Sequence, residues 1–141
     1  MSSNATRADI LVRALHAGVG TDKPNPDLYT EDVRAWTPAL ATTSRDDLLA
    51  EFDRRDDAFS EIELDVVPLD VGGDFACAEW TVTMTHSGLL RIPSGVIEPT
   101  GARITLHGVT VAEFRGDQIC SLRQYWDEFA IIEQLGLLAS D

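Results

Sequence analysis

The chain has 141 residues, a length that suits one domain with a real core, and no shift in composition argues for two. Hydrophobic residues make up 44% and charged residues 25%, the balance of an ordinary soluble globular protein. A formal net charge of -13 works against nucleic acid, whose phosphates need a basic face, and against docking on an anionic membrane, leaving a neutral or apolar small molecule as the easier partner.

In chain order, Thr6 with Asp9 three residues on resembles a capping box, and Ile10, Leu11, Ala14 and Leu15 follow at helical spacing. This first helix is expected to stop near Gly18-Val19-Gly20, and Thr21 to Pro26 (TDKPNP) reads as a loop. Asp27 to Val33 has the look of a short helix leading to Trp36 and Pro38. Ser44 with Asp47 is a second capping signal, opening a helix through Leu48, Leu49 and Phe52 and extending toward Phe59. Asp53, Arg54, Arg55, Asp56 and Asp57 would form its solvated face. His16, near the end of the first helix, fits a capping or surface position.

From Ile62 the period becomes two. Ile62, Leu64 and Val66 share one face of a strand, and Asp70 to Asp74 turns around Gly72-Gly73. Phe75 to His86 alternates cleanly, with Ala76, Ala78, Trp80, Val82, Met84 and His86 on one side. Ser87 to Gly101 is an irregular hairpin or loop. Leu106 to Phe114 and Ile119 to Trp126 form a hairpin around Gly116-Asp117, a pair that supplies the positive φ of a tight turn. Phe129, Ile132 and Leu135 then recur at helical spacing, and Gly136 is placed to end that helix. Helices first, then mostly antiparallel strands, then a short helix: this segregation predicts an α+β fold, a single domain over residues 1–141 with residues 1–5 as a flexible tail.

Several chemistries lack their sequence signatures. There is no phosphate-cradling glycine-rich loop and no GxSxG elbow, and three histidines without ligand spacing make no metal site. Cys77 and Cys120 lie in predicted strands and read as small buried residues rather than a disulfide pair. The first residues lack an apolar signal core, and no run reaches membrane-spanning length, so a cytoplasmic protein is the expectation. Asp127, at the seam of strand and helix, can be an N-cap, a carboxylate facing a ligand, or both.

Three stretches carry a family resemblance: AEWTVTMTHSG (Ala78 to Gly88), EPTGARITLHGVTVAEF (Glu98 to Phe114) and RQYWDEFAIIEQLGLL (Arg123 to Leu138). They resemble the SnoaL-like polyketide cyclases of the nuclear transport factor 2 (NTF2-like) superfamily, and LYTEDVRAW and the helix after Ser44 fit the same plan. The resemblance implies a cone: a curved, mostly antiparallel sheet packed on N-terminal helices, with a short C-terminal helix, and usually a homodimer. It also implies an intramolecular aldol ring closure without metal or organic cofactor, with Asp127 as general acid/base. Desolvation by Trp80, Tyr125 and Trp126 would suit a carboxylate to that work. Since one fold hosts many chemistries, a non-catalytic binding or scaffold domain, an isomerase and an epoxide hydrolase stay open beside the cyclase.

Around Asp127 the candidate catalytic partners are His86, on the strand face of Trp80, and His107. A two-residue turn puts His107 opposite the face of Asp127, whereas a three-residue turn groups His107, Tyr125 and Asp127. Arg123 shares the face of Tyr125 by alternation. Trp80, Tyr125, Trp36, Met84, Phe52 and Arg123 are the expected pocket wall for a hydrophobic substrate. Tyr29 is a further candidate for its mouth.

Overall fold

The structure, a computed structural model, describes residues 6–19, 22–38, 41–56, 58–69, 72–92 and 95–137, without the side chains of 53–56 and 92. Helix α1 spans Arg7–Gly18 and α2 Arg45–Asp56. Strands β1 (Tyr29–Trp36), β2 (Ala41–Thr42), β3 (Phe59–Leu69), β4 (Phe75–His86), β5 (Leu90–Ile92), β6 (Gly95–Ile97), β7 (Arg103–Arg115) and β8 (Gln118–Trp126) precede α3, Glu128–Gln134. Six strands form one curved sheet in the order β2-β1-β8-β7-β4-β3, and β5 and β6 make a separate hairpin. Among the described residues, all pairings are antiparallel except β1 with β8.

Local chemistry accounts for the helix ends. Thr6 Oγ1 accepts the Asp9 N–H at 3.1 Å while Asp9 Oδ2 accepts the Thr6 N–H at 3.1 Å, a complete capping box. Ser44 Oγ accepts the Asp47 N–H at 3.2 Å and starts α2 the same way. The end of α3 is a Schellman turn: Gly136, at φ 75°, donates to Glu133 O, and Leu137 donates to Ile132 O.

Two elements differ from the sequence reading. Asp27 to Val33 is a single 3-10 turn, Pro26–Leu28, followed by strand β1. Val33 and Ala35 alternate with exposed Arg34 and Trp36, and that period of two, together with the open edge of β8, decides for strand. Helix α2 ends at Asp56, and Phe59 instead begins β3. The flexible-tail expectation for residues 1–5, much of the charged face at Asp53–Asp57, and the Asp70-Val71 part of the turn lie outside the described residues or side chains.

The core lies between the concave sheet face and the two long helices. Leu11, Ala14 and Leu15 of α1 and Leu48 and Phe52 of α2 meet Ala78, Val82, Leu106 and Leu122 of the sheet. Gly108 is essential to this packing because the Trp80 indole lies flat on it; an ideal Cβ there would overlap the six-membered ring. At the narrow end, Arg7 stitches α1 to two turns, donating to Gly73 O at 2.6 Å and to Gly116 O at 3.0 Å, with Asp74 at 3.0 Å. Its guanidinium also covers the Phe114 ring at 5.6 Å.

Candidate active site: a lined cavity and its polar column

A cavity of about 960 Å³ opens between the sheet, α1, α2, α3 and the β5–β6 hairpin. Its wall is mostly apolar: Ala14, Leu15 and Val19 from α1, Ile62 and Leu64 from β3, Val82 from β4, Leu106 from β7, and Ile131 and Ile132 from α3. Of the expected wall residues, Trp80, Met84 and Phe52 line it. A mostly apolar enclosure with few polar groups is the usual form of a small-molecule site.

The remaining expected residues fall elsewhere, and one bulge explains most of them. Arg115 pairs with Gln118 across a two-residue Gly116-Asp117 turn, but Phe114 faces Ile119 while Glu113 faces Ser121. Cys120 is therefore an extra residue on β8. It advances the register by one, so His107, Tyr125 and Arg123 share a face, and that face is the outer one. His107 is exposed, and its Nδ1 meets Thr81 Oγ1 at 3.0 Å on that outer surface. Tyr125 packs against Trp36 with the rings tilted at 46° and 5.2 Å between centroids, and both remain exposed, at 47% and 44%. Arg123 is half-buried beside Trp36 in the β1–β8 register. None of these four lines the cavity.

Asp127 is exposed, and its Oδ1 accepts the Phe129 N–H at 3.0 Å, the geometry of an N-cap. It is not among the lining residues, so the apolar wall expected around this carboxylate does not enclose it. His86 is fully buried on the inner face at the end of β4, behind the wall rather than in it. The Thr100 N–H donates to its Nδ1 at 3.2 Å, so the ring proton sits on Nε2. The ring packs on Phe59 at 5.6 Å and pins the segment before β7 to the sheet. Tyr29 is also buried, 6.4 Å from the Phe52 ring, and burial pushes its phenol well above the ordinary range.

Trp126, expected as a dry neighbour of Asp127, does line the cavity, while the other lining residues on the even-numbered side of β8 were not expected. Leu122, Gln124 and Trp126 face the cavity, and Glu128, the first residue of α3, joins them. Glu51, on α2, is a second lining carboxylate, and Arg91 stands at the β5–β6 hairpin. Trp126 Nε1 donates to Glu128 Oε1 at 2.6 Å, and the Trp126 and Trp80 rings meet edge to face at 6.2 Å. Trp80 Nε1 donates to Thr110 Oγ1 at 2.9 Å, and Thr110 Oγ1 donates to Gln124 Oε1 at 3.3 Å. Leu122 and Trp126, four residues apart and so on one face of a strand, were the available signal for this inner face. Among the described residues no group of three or more His, Cys, Asp or Glu could hold a metal ion.

The profile of the SnoaL-like domain matches residues 13–122. The chain belongs to the SnoaL-like family. No curated protein matches it. A proposed SnoaL-like polyketide cyclase from Jannaschia sp. CCS1 superposes with a TM-score of 0.79 at 17% identity, covering 99% of each chain. AclR from Streptomyces galilaeus, described as a candidate hydroxylase, gives a TM-score of 0.76 at 21% identity, over 98% of this chain and 89% of that one. A protein of ketosteroid isomerase-like fold from Catenulispora acidiphila, solved with trimethylamine, gives 0.71 at 19% identity over 92% and 94% of the two chains. Likenesses at these identities show the fold, an NTF2-like and ketosteroid isomerase-like cone, while the chemistry must be argued from the cavity.

Proposed function

We propose that this SnoaL-like protein acts on a hydrophobic small molecule carrying a carbonyl group, in cyclase- or isomerase-type chemistry that proceeds by proton transfer without a cofactor. The observation that carries this reading is the cavity: about 960 Å³, walled by aliphatic and indole side chains, with Gln124, Glu51, Glu128 and Arg91 as its polar exceptions. An aldol ring closure and an enolisation share one demand. A base must take the proton beside the carbonyl, and a donor must hold the developing oxyanion. Carboxylates and an amide in an apolar enclosure are the groups for that task. The chain's acidity also favours a neutral substrate over an anionic one.

Differential scanning fluorimetry against mono- to tetracyclic ketones tests the reading. A ligand that binds only the folded state raises the melting temperature, and at a fixed concentration the rise grows with the logarithm of its affinity. The expected result is a rise for bicyclic and larger ketones; no rise with any of them would contradict it. The rival reading, a non-catalytic binding or scaffold domain, is favoured by one observation: Asp127 is engaged as a helix cap. It predicts ligand binding without any exchange of substrate protons.

The protein is further proposed to be a cytoplasmic homodimer. Trp36 and Tyr125 stand in contact on the outer sheet face, where exposed aromatic area favours burial against a second copy. Cys77 and Cys120 are free, which suits a reducing compartment. No helix among the described residues is long and apolar enough to cross a membrane.

A further inference from the structure

Hydrogen-bond polarity singles out two groups within the cavity. An indole N–H can only donate, so Thr110 Oγ1 must be the acceptor for Trp80 Nε1 at 2.9 Å. The Thr110 hydroxyl proton is then free to donate onward, and it does so to Gln124 Oε1 at 3.3 Å. An amide whose oxygen is held in this way presents its NH2 elsewhere, and Gln124 lines the cavity. Two residues along the same inner face, the Trp126 indole N–H holds one oxygen of Glu128 at 2.6 Å. That leaves the other carboxylate oxygen as an acceptor, and Glu128 also lines the cavity.

Building on the carbonyl-substrate reading above, we propose that Glu128 is the general acid/base and Gln124 the oxyanion donor of this site, with Thr110 and Trp80 as positioning residues. The Glu128 carboxylate takes a proton from the carbon beside the substrate carbonyl. The C–H electron pair becomes the carbon–carbon double bond, and the carbonyl π pair moves onto oxygen, where the Gln124 NH2 donates to it. In ring closure the enolate carbon attacks a second carbonyl carbon of the same molecule. The new alkoxide takes the proton back from Glu128, so the carboxylate is regenerated. In isomerisation the proton returns to a different carbon. Both sequences balance in atoms and electrons with no further reagent.

The test uses 2-tetralone, an enolisable bicyclic ketone, with the full chain in D2O. Proton NMR reads α-hydrogen exchange, and quenching of tryptophan fluorescence reads binding. Wild type is expected to bind and to exchange. Glu128→Gln should lose about 100-fold or more in exchange, and Gln124→Met a comparable factor, both with binding retained. Thr110→Val should lower the rate more than it weakens binding, because it releases the Gln124 amide and the Trp80 indole N–H while keeping the volume of the side chain. Asp127→Asn should exchange as wild type does. Wild-type exchange in Glu128→Gln or in Gln124→Met overturns the assignment, as does abolition by Asp127→Asn. Binding by wild type without exchange overturns it while leaving the cavity as a ketone site. Absence of binding overturns the carbonyl reading itself, and this assignment with it. Far-ultraviolet circular dichroism on each variant separates loss of chemistry from loss of fold.

Discussion

Asp127 and Glu128 are adjacent carboxylates with different surroundings. Asp127 turns back onto the Phe129 amide, whereas Glu128 is drawn inward by the Trp126 indole. Asn caps a helix about as well as Asp, so Asp127→Asn should leave stability in urea nearly unchanged, and Asp127→Ala should cost about 1 kcal/mol. A large loss in the Asn variant would mean that the charge itself matters here. Tyr29 supplies a pH prediction. Burial raises the folded phenol well above its ordinary range, so the unfolded chain ionises first. Its contribution to stability is therefore whole below the unfolded value of about 10 and is lost as pH rises beyond it. Tyr29→Phe should flatten the alkaline fall of a stability-versus-pH curve; an unchanged curve would contradict this account.

At the scale of elements, the placement of the site depends on one strand irregularity and one glycine. Cys120 is the extra residue that carries β8 from the turn register into the register of the cavity wall. Deleting it should move residues 121–126 to opposite faces, putting Tyr125 inside and Gln124 and Trp126 outside. A poorly folded product by near-ultraviolet circular dichroism is the expected outcome, and a native-like spectrum would contradict it. Gly108→Ala puts a methyl group where the Trp80 ring lies. Overpacking of this kind costs about 1–3 kcal/mol, and the displaced indole should lose its bond to Thr110. Chemical denaturation and the Trp80 indole N–H resonance would report the two effects.

Much of this level was legible from the chain. The clean alternation of Phe75 to His86 is strand β4 with the same bounds, the capping box sits at Thr6, and Ser44 caps α2 through the Asp47 N–H. The bulge left no comparable mark, because Cys120 is small and fits either face. Without it, alternation from Tyr125 carries Arg123 and Asp127 along, and the aromatic pair Tyr125 and Trp36 looks like pocket wall rather than outer surface. Strand β1 was also obscured, since Val33 and Ala35 give only a short run of period two and the parallel pairing with β8 that completes it is a long-range contact.

For the whole molecule, the sheet divides two roles. Its concave face and the helices enclose the cavity, while its convex face carries Trp36 and Tyr125. If that convex face joins two copies, Trp36→Lys with Tyr125→Lys should shift the protein from dimer to monomer in light scattering while leaving ketone binding intact. A dimer that persists would place the interface elsewhere. The three tryptophans sort the same way, Trp80 and Trp126 in the wall and Trp36 outside. Their indole N–H signals therefore give the most direct measurement of the central claim, an NMR titration of the intact protein with 2-tetralone. The account predicts that the Trp80 and Trp126 signals move together and saturate while Trp36 stays in place. Movement of Trp36 alone, or of none of the three, would contradict a ketone-binding cavity.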